Sequence, residues 1–255
     1  MDAQPAWWLE VDPRTTAFFL DVDGTLLGFK ERPEDVIADE ALLDLLRRLS
    51  VAADGAVGLV SGRMISDLDR IVAPLVLPAG GVHGAELRFA DGRREAVAGS
   101  AVAAVRDAAA AFVNARPGLR LEDKGGAAIA LHYRQAPERA DEVRDFLQEA
   151  VRDDALMIQH GKMVAEVKPV GTHKGKAIEA LLDTSPFAGR TPLFMGDDLT
   201  DEHGFATVNG LPGGLSIKVG GTEEPTVARH RLADTSMVRD FLASVVQRRK
   251  DSSLH

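Results

Sequence analysis

Ala17-Phe18-Phe19-Leu20-Asp21-Val22-Asp23-Gly24-Thr25 decides how this chain reads. The apolar run Ala17 to Leu20 predicts a short buried strand. It stops at two carboxylates, which a strand interior rejects and a strand end facing a ligand accepts; in open α/β sheets the ligand crevice lies at the carboxyl ends of the strands. Asp21 and Asp23, one residue apart in an extended chain, point the same way. Gly24 lets the backbone leave the strand at unusual φ/ψ and lets its N–H groups come close to an anion. Two neighbouring carboxylates call for a cation or a proton between them. Mg²⁺ suits the pair, because it takes oxygen ligands and leaves room for a phosphate. A carboxylate at that point can also act as a nucleophile and form an aspartyl-phosphate. The plainer alternative is a polar turn, in which Asp and Gly are common.

The chain has 255 residues, 45% of them hydrophobic, enough for one large domain or a core with an insertion. The net charge of −9 lacks the basic balance that nucleic acid or an anionic membrane selects. Without cysteine, disulfides, thiolate metal sites and a Cys nucleophile are all excluded. The first ten residues show no signal-peptide pattern, and no run approaches the ~18 apolar residues of a spanning helix. A cytoplasmic, monomeric protein is the expectation.

Two further strand ends carry polar groups. Ala56 to Val60 is an apolar strand ending in Ser61-Gly62-Arg63, with a helix expected over Met64 to Val72. Ser61 there can hold a phosphate oxygen together with helix amides, although alone it reads first as a helix N-cap. Thr191 to Met195 ends in Gly196-Asp197-Asp198-Leu199-Thr200-Asp201-Glu202, four acids within six residues, which can complete an Mg²⁺ site begun by Asp21 and Asp23. Lys174 opens a helix after Gly171 and can meet a phosphate there; an exposed lysine is the ordinary outcome. Leu215 to Val219 reads as the final core strand, and Ser236 to Arg249 as the last helix, before a frayed tail. Trp7 and Trp8 are expected to pack on the domain. His83, between glycines, reads first as a core histidine, with a role at the substrate's edge left open.

From Leu87 to Lys168 the pattern changes. Asp91-Gly92 marks a hairpin between Leu87–Phe89 and Glu95–Val97. Helices are expected over Ser100 to Ala115 and Glu138 to Arg152, alternating with strand pairs. That alternation, without parallel βαβ units, predicts an α+β unit inserted into an α/β core. Its strands carry Glu122, Lys124, His132, Arg134, Lys162, Glu166 and Lys168, which read first as a solvated face and otherwise as sugar-hydroxyl partners.

In this order Asp21-Val22-Asp23-Gly24-Thr25, Ser61, Lys174 and Gly196-Asp197-Asp198 with Asp201 resemble the four motifs of the haloacid dehalogenase (HAD) superfamily of phosphohydrolases. Within it, Val60 to Arg63, Gly81 to Glu86, Leu121 to Lys124, Leu131 to Arg134, Gly161 to Pro169 and Gly196 to Glu202 are similar to the trehalose-6-phosphate phosphatases. The resemblance implies an HAD-like Rossmannoid core over 1–86 and 169–255, its parallel sheet flanked by helices. An inserted C2-type cap over 87–168 would close over the site and select the sugar. It implies a hydrolase at the last step of trehalose biosynthesis, with Asp21 as nucleophile and Asp23 as acid and base. Ser61 and Lys174 would hold the phosphoryl oxygens. Mg²⁺ would be held by Asp21, by the Asp23 backbone carbonyl and by Asp197, with Asp198 or Asp201 behind. Gly24, Arg63 and His83 are expected at the substrate, and Glu122, Lys124, Arg134 and Glu166 at the glucose ring. Nothing remains for a fused synthase, so a free-standing phosphatase is expected. The partner is then a small sugar phosphate rather than nucleic acid or membrane. Phosphatases of sucrose phosphate or mannosylphosphoglycerate share the core chemistry, and a non-catalytic sugar-phosphate binder shares the fold. A dinucleotide oxidoreductase is disfavoured because no G-x-G-x-x-G follows the first strand.

Overall fold

Thr16–Leu20 (β1) is buried along its whole length, as a central strand of a sheet covered on both faces must be. The computed structural model describes residues 5–30, 32, 35–97, 100–161, 163–221 and 224–252. Lys162 lies outside them. Two units result: Met1–Arg94 with His173–His255, and Glu95–Thr172.

In chain order the elements after β1 are α1 (Glu40–Ala52), β2 (Val57–Val60), α2 (Ile65–Ile71), β3 (Ala79–Gly81), β4 (Glu86–Arg88) and β5 (Arg94–Ala96). Next come α3 (Ser100–Asn114), β6 (Arg120–Lys124), β7 (Ala128–His132), α4 (Ala140–Ala150), β8 (Leu156–Gly161) and β9 (Val164–Pro169). The chain then returns through α5 (Lys174–Leu182), β10 (Thr191–Gly196), α6 (Glu202–Asn209), β11 (Leu215–Val219), β12 (His230–Leu232) and α7 (Thr235–Ser252).

The first unit is built on a sheet ordered β12-β11-β10-β1-β2-β3-β4-β5. From β12 to β3 every pairing is parallel, and β4 turns back antiparallel on β3. The three apolar runs that end in polar residues, β10, β1 and β2, are therefore adjacent strands at its centre. Local chemistry sets the helix starts: Asp39 caps α1, its carboxylate accepting from Leu42 N at 2.8 Å, a contact worth about 1 kcal/mol. Leu42, Leu45, Leu46 and Leu49 then turn one buried face into the hydrophobic core. Trp8 is buried, and Trp7 stacks on His230 with ring centroids 4.5 Å apart, so the lead-in packs on the domain as expected.

Three readings are corrected. The Asp91-Gly92 hairpin belongs to the edge of the large sheet, because Ala79 to Gly81 pairs with Glu86 to Arg88 and draws its first strand there; the boundary falls after Arg94 rather than after 86. Unlike a final strand, β11 is followed by β12, which pairs parallel with it through Ile217 to Val219. The terminal helix runs on to Ser252, through part of the expected frayed tail.

The second unit is an antiparallel sheet ordered β6-β7-β9-β8 with its own core. Ile129, Leu131, Ala165 and Val167 of the sheet pack with Val102, Val105 and Ala109 of α3 and Val143 and Leu147 of α4. Alternation along the strands puts Glu122, Ala130 and Glu166, which are paired directly across β6, β7 and β9, on the opposite face. Among the described residues no helix is long and apolar enough to cross a membrane.

Candidate active site

Parallel pairing of β1 with β10 and β2, in the registers Leu20↔Met195 and Leu20↔Leu59, aligns three strand ends. Asp21, Asp197 and Ser61 follow those ends and so converge. Asp21 N donates to Met195 O at 3.0 Å, which ties the two acidic loops together at their roots. Lys174, the first residue of α5, sends Nζ between them, 2.9 Å from Asp21 Oδ1 and 2.6 Å from Asp201 Oδ1. All three groups are buried, and their mutual pairing offsets much of what that burial costs.

Asp201 is fully committed inside the protein. Its Oδ1 takes Lys174, and its Oδ2 accepts the backbone N–H of Asp197 at 3.0 Å and of Asp198 at 2.9 Å. Asp198 turns instead to the helix entry, capping the 3-10 turn Leu199–Asp201 with a bond from Leu199 N, and its side chain is exposed. Of Asp198 and Asp201, Asp201 turns inward to Lys174 and the Asp197 backbone, and Asp198 turns outward.

Asp197 lies over Gly24. A Cβ on Gly24, whose φ is +77°, would sit 2.0 Å from Asp197 Oδ2, so only glycine leaves the carboxylate its place. Thr25 Oγ1 donates to Asp197 Oδ1 at 3.4 Å. Carboxylate oxygens of Asp21, Asp197 and Asp201 all fall within 4.8 Å of one another. Burial pushes the Asp21 carboxyl well above its usual range, Lys174 draws it back, and Asp201 and Asp197 push it up again. Burial, followed by the charge of Asp201, raises Asp197 to about 7. Burial works against the charge of Lys174, but Asp201 and Asp21 outweigh it, and its pKa is raised. With Asp201 already satisfied, Asp21 and Asp197 remain as hard oxygen donors short of positive charge. That donor set fits a divalent cation of the magnesium type.

Asp23 points to Arg63, which donates Nε to Oδ2 at 2.6 Å and Nη2 to Oδ1 at 2.7 Å. Arg63, expected at the substrate, is thus first a partner of Asp23. Ser61 is buried and its Oγ accepts Arg63 N at 3.2 Å; α2 is entered at Met64 without a side-chain cap, so Ser61 is not that helix's N-cap. His83 sits against Gly62, where a Cβ would come within 2.6 Å of its Nε2. Val82 and His83 both adopt left-handed φ, +47° and +55°, held by bonds from Val82 N to Arg63 O and His83 N to Ser61 O. Such strain persists only where the surroundings hold it. A cleft of about 340 Å³ borders Asp197, with Gly24, Phe29, Gly220 and Glu224 on its wall.

A family model described as trehalose-phosphatase matches residues 19–236. The trehalose-6-phosphate phosphatase of Escherichia coli (strain K12) is 42% identical over 238 residues, spanning 90% of this chain and 86% of that protein. The chain belongs to the trehalose-phosphatase family. A solved structure described as a trehalose-6-phosphate phosphatase related protein matches with a TM-score of 0.77 at 28% identity, covering 92% of this chain and 99% of that one. The C-terminal domain of the C. albicans trehalose-6-phosphate phosphatase, at 24% identity, matches with a TM-score of 0.78 over 92% of this chain and 93% of its own and shows the same fold.

As a trehalose-phosphatase the chain is a phosphoric monoester hydrolase with the HAD-like core expected from its motifs. In the second unit of this trehalose-phosphatase the expected ring-binding residues form pairs. Glu122 Oε2 meets His132 Nε2 at 2.6 Å, a bond that, more than burial opposes it, holds the Glu122 carboxyl below its usual range. Lys124 Nζ donates to Glu166 Oε2 at 2.5 Å. Arg134 is exposed on the turn after β7. Sequence reasoning missed Lys218 as a site neighbour and gave Thr25, part of the first motif, no role of its own. The only signal for Lys218 was a lysine inside the otherwise apolar run Leu215 to Val219.

Proposed function

We propose that this chain hydrolyses trehalose 6-phosphate to trehalose and phosphate through an aspartyl-phosphate on Asp21, with Mg²⁺ as cofactor. The observation that carries the reading is the meeting of Asp21, Lys174, Asp197 and Asp201, brought together from both ends of the chain at one sheet edge. Asp21 stands at the end of β1 with one oxygen on Lys174, and its carboxylate is the group assigned to attack phosphorus. The P–O bond to the sugar breaks as the Asp21–P bond forms, and Asp23 gives its proton to the leaving sugar oxygen. Water then attacks phosphorus, Asp23 takes the water's proton, and Asp21 leaves as a carboxylate. Lys174 and Ser61 are assigned to offset charge on the phosphoryl oxygens through both steps. Bound Mg²⁺ supplies further positive charge to the transferring group, and Asp21 and Asp197 would hold it. The trehalose assignment is carried by the family match and by the E. coli relative's substrate; Glu122, Lys124, Arg134 and Glu166 are assigned to the glucose ring.

Phosphate release from trehalose 6-phosphate, glucose 6-phosphate and sucrose 6-phosphate tests the substrate. Preference for the first by tenfold or more in kcat/KM is expected, and equal rates on all three reject the assignment. Asp21→Asn should abolish turnover with its thermal unfolding retained; residual turnover near the parent's would remove the aspartyl-phosphate.

A further inference from the structure

Lys218 is 2% exposed, in the fourth position of the parallel strand β11, where packing favours an apolar side chain. Burying an amine at that position is costly unless it is matched by polar partners. Its partners are informative. Nζ donates to the backbone oxygen of Asp197 at 2.6 Å, and Glu224 Oε2 lies 3.4 Å away. Register explains the reach: Lys218 pairs with Gly196, so its side chain rises beside the residue that follows β10.

Asp197 is therefore held by charged side chains at both backbone groups. Its N–H is bound by Asp201 and its C=O by Lys218. Fixing both sets the main chain of this one residue, and with it the direction in which the carboxylate leaves over Gly24. Arg231 supports the same arrangement from β12. It donates Nη2 to Glu224 O at 2.6 Å and Nη1 to Gly221 O, anchoring the backbone of Glu224 where its side chain meets Lys218.

We propose that Lys218 is a positioning residue for the phosphoryl-transfer site: it aims the Asp197 carboxylate at the divalent cation, and Glu224 steadies Lys218. This rests on the reading that Asp21 and Asp197 hold Mg²⁺. Residues behind metal ligands typically change cation affinity by about 10- to 100-fold when removed.

The test measures Mg²⁺ binding by isothermal titration calorimetry on the full chain, with KM for trehalose 6-phosphate at saturating Mg²⁺ beside it. Lys218→Met is expected to weaken Mg²⁺ binding about tenfold or more while KM moves less than about threefold. Lys218→Arg, which keeps a charged donor, should recover most of the affinity, and Glu224→Gln should weaken it by a smaller factor. A role in packing alone would lower the melting temperature without that split between Mg²⁺ and substrate. Parental Mg²⁺ affinity in Lys218→Met overturns the proposal. Should Lys218→Met not fold, Glu224→Gln, altered at an exposed side chain, decides: unchanged Mg²⁺ affinity there overturns it as well. A parent chain that binds no Mg²⁺ refutes the cation reading itself, and is told apart from the failure of Lys218 by that first titration.

Discussion

The guanidinium of Arg63 grips both oxygens of Asp23, with Nε–Oδ2 at 2.6 Å and Nη2–Oδ1 at 2.7 Å. The fork is planar and two-pointed, so it sets the carboxylate's orientation as well as its charge environment. Arg63 reaches it from the loop after β2, and its carbonyl holds the strained Val82. Asp23 is thereby fixed beside Asp21 while Asp21 itself is bound to Lys174.

Losing that grip should cost turnover more than binding. Arg63→Met is expected to lower kcat by about 10²-fold, the range of positioned acid–base catalysis. Arg63→Lys should restore only part of it, because a lysine cannot make the two-pointed contact. Steady-state kinetics at saturating Mg²⁺ check this; a change confined to KM would place Arg63 on the substrate instead.

Proton and cation should compete at Asp197. In the protein without a cation, burial and then Asp201 raise this carboxyl to about 7. Only the ionised form ligates a metal, so binding releases a proton below pH 7 and none well above it. The Mg²⁺ concentration for half-maximal activity is expected to rise roughly tenfold for each pH unit below about 7 and to level off above it. Calorimetry in two buffers of different ionisation enthalpy reads the released proton directly.

Removing Lys174 should destabilise the fold as well as the site. Lys174→Met leaves Asp21 and Asp201 buried without their shared cation, a loss on the order of 3–5 kcal/mol for a broken buried pair. Added Mg²⁺ should return part of the melting temperature, since it restores positive charge near Asp21. Urea unfolding with and without Mg²⁺ measures both effects.

Gly24→Ala is expected to cost activity by about 10²-fold or more. The new Cβ would overlap Asp197 Oδ2, and the residue would have to hold a φ of +77°. Left-handed backbone costs a non-glycine residue roughly 1–2 kcal/mol, so stability should fall only modestly while Mg²⁺ affinity falls with activity.

Much of this site was legible along the chain because it obeys local rules. The apolar runs before Asp21, Ser61 and Asp197 are buried strands, and polar residues immediately after such strands have nowhere to go but the sheet's ligand edge. Asp39 caps α1 by a local rule too, an Asp side chain at the head of a leucine-rich helix. The hairpin at Asp91-Gly92 was recognised as a hairpin, yet its attachment to β3 was not, since an edge strand chooses its partner by pairing across space.

The sequence by itself determined the strands, their polar ends and the chemical class of the groups placed there, because these follow from burial and backbone preferences of neighbouring residues. Which acid serves which purpose was decided only in three dimensions. Asp198 and Asp201 are equivalent as letters, and the turn that sends one outward to cap a helix sends the other inward to Lys174. Lys218 became part of the site through a strand register, and Arg63 through a reach of 40 residues to Asp23. Such pairings depend on contacts between distant segments, which no local pattern carries.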